Sequence, residues 1–207
     1  MDSHKSYTVN KFFNRWCLTG IISVLLLANV FIILVVNNIN NKETVSLLIR
    51  STAKLSFLLF MLAFVASSLH YYVKNSLTSW LLQNRRYIGV SFAISHYIHL
   101  GMLFIMTFYI SFNVFEDRGL AKTIVGIIAY VFITLMTLTS FDKTRNLFGS
   151  KNWKRIHTIG GYLLWIIFAK SFILQMTNPL RVIFLLIAIT VLLLRISVLF
   201  KRKGQRL

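Results

Sequence analysis

The chain has 207 residues, of which 57% are hydrophobic and 14% are charged, with 23 Lys and Arg against 5 Asp and Glu. A soluble domain averages about 45–50% apolar and about 25% charged residues, so the composition excludes an ordinary soluble domain and, being so hydrophobic, a disordered chain. The single cysteine, Cys17, excludes a disulfide framework and a thiolate metal cluster. The net charge of +18 would indicate nucleic-acid binding only if the basic residues covered a soluble surface.

Charged residues separate long uncharged runs. About 20 apolar residues cross the hydrocarbon core of a membrane, and in lipid a helix can satisfy its own backbone groups. The sequence therefore predicts an all-α integral membrane protein, a six-transmembrane-helix bundle over residues 17–200, with tails at 1–16 and 201–207. The six runs are 17–36, 55–73, 87–115, 123–141, 156–180 (interrupted by Lys170) and 182–200 (interrupted by Arg195).

The distribution of basic residues predicts the orientation. The segments on the N-terminal side of the membrane carry 15 Lys and Arg, and those on the opposite side carry 6. The positive-inside rule then predicts that both termini are cytoplasmic. The charge is explained by topology and by contact with anionic membrane lipid, so no nucleic-acid partner is expected. The N-terminal-side segments are 1–16, 74–86, 142–155 and 201–207, and the opposite segments are 37–54, 116–122 and Arg181.

Three ionisable side chains lie deep in the predicted membrane segments. His96 and His99 come about 15 and 20 Å beyond Arg86, and their spacing of three residues places them on one helix face. Such groups rarely face lipid, so they are either hydrogen-bonded core histidines or metal or heme ligands. Lys170 lies about 22 Å beyond Arg155 and either extends its ammonium toward the interface or faces the bundle.

Three segments of the sequence together resemble a known family. Residues 85–99 (RRYIGVSFAISHYIH), with 138–141 (LTSF) and 152–157 (NWKRIH), resemble the ferric reductase-like transmembrane domain family, over roughly residues 50–171. That family includes NADPH oxidases and metalloreductases, and the similarity is greatest to the heme-binding membrane subunit of the bacterial methionine sulfoxide reductase system. The resemblance implies b-type heme and electron transfer across a bacterial inner membrane.

The resemblance also implies partners, because nothing in the sequence is expected to bind NADPH or flavin. Electrons would come from a separate cytoplasmic reductase, from a flavin on a partner, or from a quinol, and a quinone site is one alternative. They would leave to an outer acceptor such as a periplasmic oxidoreductase.

The family's ligand positions transfer only in part. In the fuller family members, helices 3 and 5 each supply two histidines, and each heme takes one from each helix. Here His99 matches the outer ligand of helix 3 and His157 the inner ligand of helix 5, so these two are the expected metal ligands, in different sites. Arg85 stands at the inner position of helix 3 and Lys170 at the outer position of helix 5. Neither pair of histidines is therefore complete.

Several alternatives follow from the incomplete pairs. An outer heme would be held by His99 or His96 with Lys170, a heme would be five-coordinate, or His70 would supply the inner partner of His157, with Arg85 pairing with a propionate. A heme-free membrane scaffold or assembly protein that keeps the fold is the alternative function. A small proton-coupled carrier using His96, His99 and Lys170 is a third.

Overall fold

The structure is a computed structural model that describes residues 13–37, 39–110, 116, 119–173 and 179–204. Within these residues, six helices are long and apolar enough to cross a membrane and no strand occurs, which confirms the predicted all-helical, six-span chain. Residues 1–12 of the predicted N-terminal tail and 205–207 of the C-terminal tail lie outside the described residues. The helices are α1 (Arg15–Val36), α2 (Lys42–Tyr72), α3 (Ser76–Phe104, continued by a π-helical turn Ile105–Tyr109), α4 (Leu120–Leu138), α5 (Asp142–Ile173) and α6 (Pro179–Gly204).

Three helices begin well before the uncharged runs that predicted them. The side chain of Asn41 accepts a hydrogen bond from the Glu43 backbone N–H at 2.9 Å, which starts α2 among charged residues. Asn75 and Thr78 form a reciprocal capping box at the start of α3. Such caps satisfy backbone N–H groups that have no partner within the helix. The charged segments are consequently helical over much of their length.

The basic segment 142–155, predicted as a loop, is helical and bent. The bend lies at Gly149, whose φ of 73° and ψ of 153° are not helical. Glycine adopts a positive φ without the steric cost that a Cβ imposes. A short helix therefore precedes the long part of α5 and turns back against the end of the bundle.

The central pair of the bundle is α2 and α3, and the other helices pack around it. Helix α1 lies mainly against α3, α6 lies against α2 and α5, and α4 lies against α5. Edge-to-face and tilted ring pairs are typical of packed aromatic cores. The largest buried cluster contains five phenylalanine rings together with aliphatic side chains and one methionine: Phe57, Phe60, Phe64, Phe92 and Phe168, with Met61, Ile133, Leu164, Ala188 and Val191 among the others.

Two adjacent glycines let α5 approach its neighbours closely. A Cβ added to Gly160 would lie 2.5 Å from the Met136 sulfur on α4, and one added to Gly161 would lie 3.1 Å from the Phe64 ring on α2. Small residues commonly occupy such helix contacts in membranes. The Gly160–Gly161 pair therefore sets the distance of α5 from both α4 and α2.

Candidate functional site

A cavity of about 320 Å³ opens between α2, α3, α4 and α5 at the end of the bundle where α1 begins. Ligand sites usually have volumes of about 300–1,000 Å³, so this cavity is at the small end of that range. Its apolar walls come from Phe60, Ala63, Phe64, Leu82, Phe92, Ile133 and Met136. Its polar and charged lining includes Gln83, Arg85, Arg86, Thr137, Thr139, Ser140, Arg145, Trp153 and His157. Apolar side chains therefore form part of the cavity wall, and the charged side chains of the wall are all basic.

The basic lining contains three guanidinium groups and little negative charge. Arg86 Nη1 lies 2.8 Å from Asp142 Oδ1, and this is the single salt bridge formed by the described part of the chain. The Asp142 side chain is 75% exposed, and the buried Nε of Arg86 has no hydrogen-bond partner among the described atoms. The charge of Arg85 is not compensated by this pair. The lining therefore favours an anionic ligand.

His157 lies in the wall of this cavity with a defined pattern of hydrogen bonds. Its Nε2 is 3.1 Å from the Thr139 hydroxyl, and that hydroxyl donates to the Leu135 carbonyl at 2.7 Å. Because the hydroxyl has a single proton, it accepts from His157, which places the imidazole proton on Nε2 and leaves Nδ1 as the nitrogen with the lone pair. Trp153 packs on the imidazole with ring centroids 4.9 Å apart, and Arg145 covers the Trp153 ring at 4.5 Å.

Glycine leaves one wall of the cavity open. Gly89 lines the cavity on α3, and a Cβ added there would meet no described atom within 4 Å. Gly161 lines it from α5, where Phe64 is already in contact distance. The space beside Gly89 is therefore where a flat group could approach the helix backbone.

His99, which matches the outer ligand position of helix 3 in the family, forms hydrogen bonds to α2. Its Nδ1 donates to the Ile49 carbonyl at 3.0 Å and lies 3.2 Å from the Thr52 hydroxyl, and the residue is 9% exposed. A carbonyl only accepts, so the proton is on Nδ1 and the lone pair on Nε2. The same kind of hydrogen bond orients histidines that ligate metals, but it equally anchors a core histidine.

His96 is surrounded by rings. Its ring centroid lies 5.3 Å from that of His99, 5.1 Å from Tyr130 and 5.9 Å from Phe168. Its buried Nδ1 has no hydrogen-bond partner among the described atoms. The rings of Tyr130 on α4 and Phe168 on α5 therefore occupy the space next to His96.

Lys170 and His70 are the two remaining ionisable residues that the sequence singled out. Lys170 is exposed on α5, whereas its neighbours Phe168 and Ala169 are buried. His70 Nδ1 lies 3.1 Å from the Thr78 hydroxyl at the turn between α2 and α3. His70 is not among the residues that line the cavity with His157.

Of the residues singled out in the sequence, the structure brings Arg85 and His157 together at one cavity and stacks His96 on His99. Among the described residues, no group of three or more His, Cys, Asp and Glu side chains is arranged to hold a metal ion. Arg145 lines the cavity but was not predicted from the sequence as a site residue. In the sequence, Arg145 is one of several basic residues of segment 142–155. The bend at Gly149, which lets Arg145 line the cavity, was not predicted.

No protein-family model matches the chain, and it matches neither a curated protein nor a solved structure. The resemblance to the ferric reductase-like family therefore stays a prediction carried by the quoted residues.

Proposed function

We propose that this protein is a b-type heme-binding subunit of a bacterial inner membrane that passes electrons from a separate cytoplasmic reductase or quinol to an outer acceptor. The observation that carries the proposal is the composition of the cavity: one imidazole, three guanidinium groups, aromatic walls and open space beside a glycine. These groups suit a flat apolar ring system with carboxylates at one edge.

The roles within the site follow from the chemistry of each side chain. His157 would hold the heme iron through its imidazole, and Trp153 and Thr139 orient that ring. Arg85 and Arg145 would bind the propionates, since guanidinium groups bind carboxylates through paired hydrogen bonds. Heme b supplies reversible one-electron transfer at its iron. The lining contributes one histidine, so the proposal corresponds to the five-coordinate alternative.

The experiment is the visible spectrum of protein purified in detergent from cells supplied with heme, with a pyridine hemochrome assay for stoichiometry. We expect a Soret band and about one heme per chain, because the cavity carries a single imidazole. His157→Ala should remove the band, and His99→Ala is the matched control that should keep it.

Two outcomes would contradict the proposal. A wild-type protein without a Soret band favours the heme-free scaffold, for which the packing of Tyr130 and Phe168 around His96 is the supporting observation. Loss of the band in His99→Ala but not in His157→Ala would move the heme to the outer half of the bundle.

A further inference from the structure

Arg195 is a charged residue in the interior of α6, and its side chain points into the bundle. Its Nη1 donates to the Phe64 backbone carbonyl of α2 at 2.7 Å. Its guanidinium carbon lies 4.0 Å from the centroid of the Phe64 ring and 5.4 Å from that of Tyr162 on α5. A guanidinium over aromatic faces is a favourable but neutral environment, so the positive charge itself is not cancelled.

Phe64 separates Arg195 from the cavity. The Phe64 ring forms part of the cavity wall, and Arg195 lies against that ring without being one of the lining residues. The positive charge of Arg195 therefore acts on a group in the cavity across the Phe64 ring, although the Arg195 side chain does not line the cavity.

No carboxylate of the described residues forms a salt bridge with Arg195. The buried Nε of Arg195 has no hydrogen-bond partner among the described atoms. Guanidinium stays protonated in proteins, and charges act strongly where little water screens them. A fixed positive charge thus stands behind one wall of the cavity.

We infer that Arg195 is a positioning residue that raises the reduction potential of the group held in the cavity. This inference rests on the proposed function. On reduction the ferric iron accepts one electron and becomes ferrous with no bond broken, so the site gains one negative charge. The Arg195 charge stabilises that reduced state through Phe64, and it stabilises the oxidised state less.

The test is a redox titration of the heme-loaded protein, with Arg195→Gln, Arg195→Lys and Arg181→Gln compared with the wild type. Arg195→Gln should shift the midpoint potential to a lower value, and Arg195→Lys should stay near the wild type because it keeps the charge. Arg181→Gln is the matched control, since it removes the same charge from the same helix about 21 Å away, and it should not shift the potential.

Tyr162→Glu would offset the charge of Arg195 without removing Arg195. This variant replaces Arg195→Gln in the titration if Arg195→Gln does not fold. The new carboxylate would stand beside the guanidinium and should also lower the potential. An unchanged potential in a heme-loaded Arg195→Gln or Tyr162→Glu protein overturns the inference, as does an equal fall in Arg195→Lys. A wild-type protein without heme overturns the proposed function and the inference with it, and the absent Soret band distinguishes this result.

Discussion

Gly89 is the residue of the cavity that most directly tests ligand binding, because a side chain there would enter open space. We expect Gly89→Phe to fold and to bind at least about tenfold less heme, since the new ring would occupy the space that the ligand needs while meeting no described atom near its Cβ. The Soret absorbance per chain measures the effect.

Gly20→Phe is the control for Gly89→Phe, because Gly20 is exposed on α1 and a Cβ there also meets no described atom within 4 Å. Its heme content should equal that of the wild type. Full heme content in a folded Gly89→Phe protein would argue against a ligand in this cavity.

Individual side chains also show what the sequence could predict at this scale. The spacing of His96 and His99 predicted that they share a helix face, and their stacked rings confirm it. Their surroundings could not be predicted, because the rings of Tyr130 and Phe168 reach His96 from other helices. The exposure of Lys170 depends likewise on the rotation of α5, which one charged residue in an apolar run does not determine.

At the scale of the element, the position of α5 depends on a glycine contact. Gly160→Ala should destabilise the protein by up to about 2 kcal/mol, since overpacking costs about 1–3 kcal/mol and the helix preference of Ala offsets up to about 1 kcal/mol of it. The reason is that the new Cβ would lie 2.5 Å from the Met136 sulfur, on a flexible side chain, and 3.1 Å from the Phe132 ring. Thermal unfolding in detergent, followed by the loss of helical circular dichroism, measures this change.

Gly126→Ala in α4 provides the matched comparison. A Cβ at Gly126 meets no described atom within 4 Å, and Ala favours a helix over Gly by up to about 1 kcal/mol. This variant should unfold at the wild-type temperature or above it. Equal destabilisation of both variants would show that the Gly160 contact does not limit the approach of α5 to α4.

The helices themselves show why spans are easier to predict than their ends. Long uncharged runs predicted six spans because hydrocarbon excludes charge over a fixed thickness. The ends depend on local caps, such as Asn75 with Thr78, and on the conformation of single residues, such as Gly149. A basic segment with this composition is compatible with a loop or with a helix, so its bend against the bundle required the structure.

At the scale of the whole molecule, the cavity is a product of tertiary packing. Residues from α2, α3, α4 and α5 line it, and they lie up to about a hundred positions apart in the chain. Sequence spacing relates residues on one helix, but it does not determine which helices become neighbours. Arg85 and His157 were therefore identified separately, and their shared cavity emerges from the way α5 packs on α2 and α4.

The orientation of the bundle determines the side from which the cavity is reached, and the basic residues predict that side. With 15 Lys and Arg on one side and 6 on the other, the positive-inside rule predicts that the end of the bundle that carries the cavity faces the cytoplasm. The natural cysteine, Cys17, can be replaced by Ser to give a background without cysteine. In that background, Asn40→Cys and Ser150→Cys each introduce one exposed cysteine at opposite ends of the bundle.

A membrane-impermeant maleimide applied to intact cells should label Asn40→Cys and leave Ser150→Cys unlabelled until the membranes are opened. The Cys17→Ser protein should stay unlabelled under both conditions. Labelling of Ser150→Cys in intact cells would show that the topology is the opposite of the predicted one. Because Ser150 follows the bend that carries Arg145 to the cavity, that result would also place the cavity outside and exclude a cytoplasmic reductase as its direct electron donor.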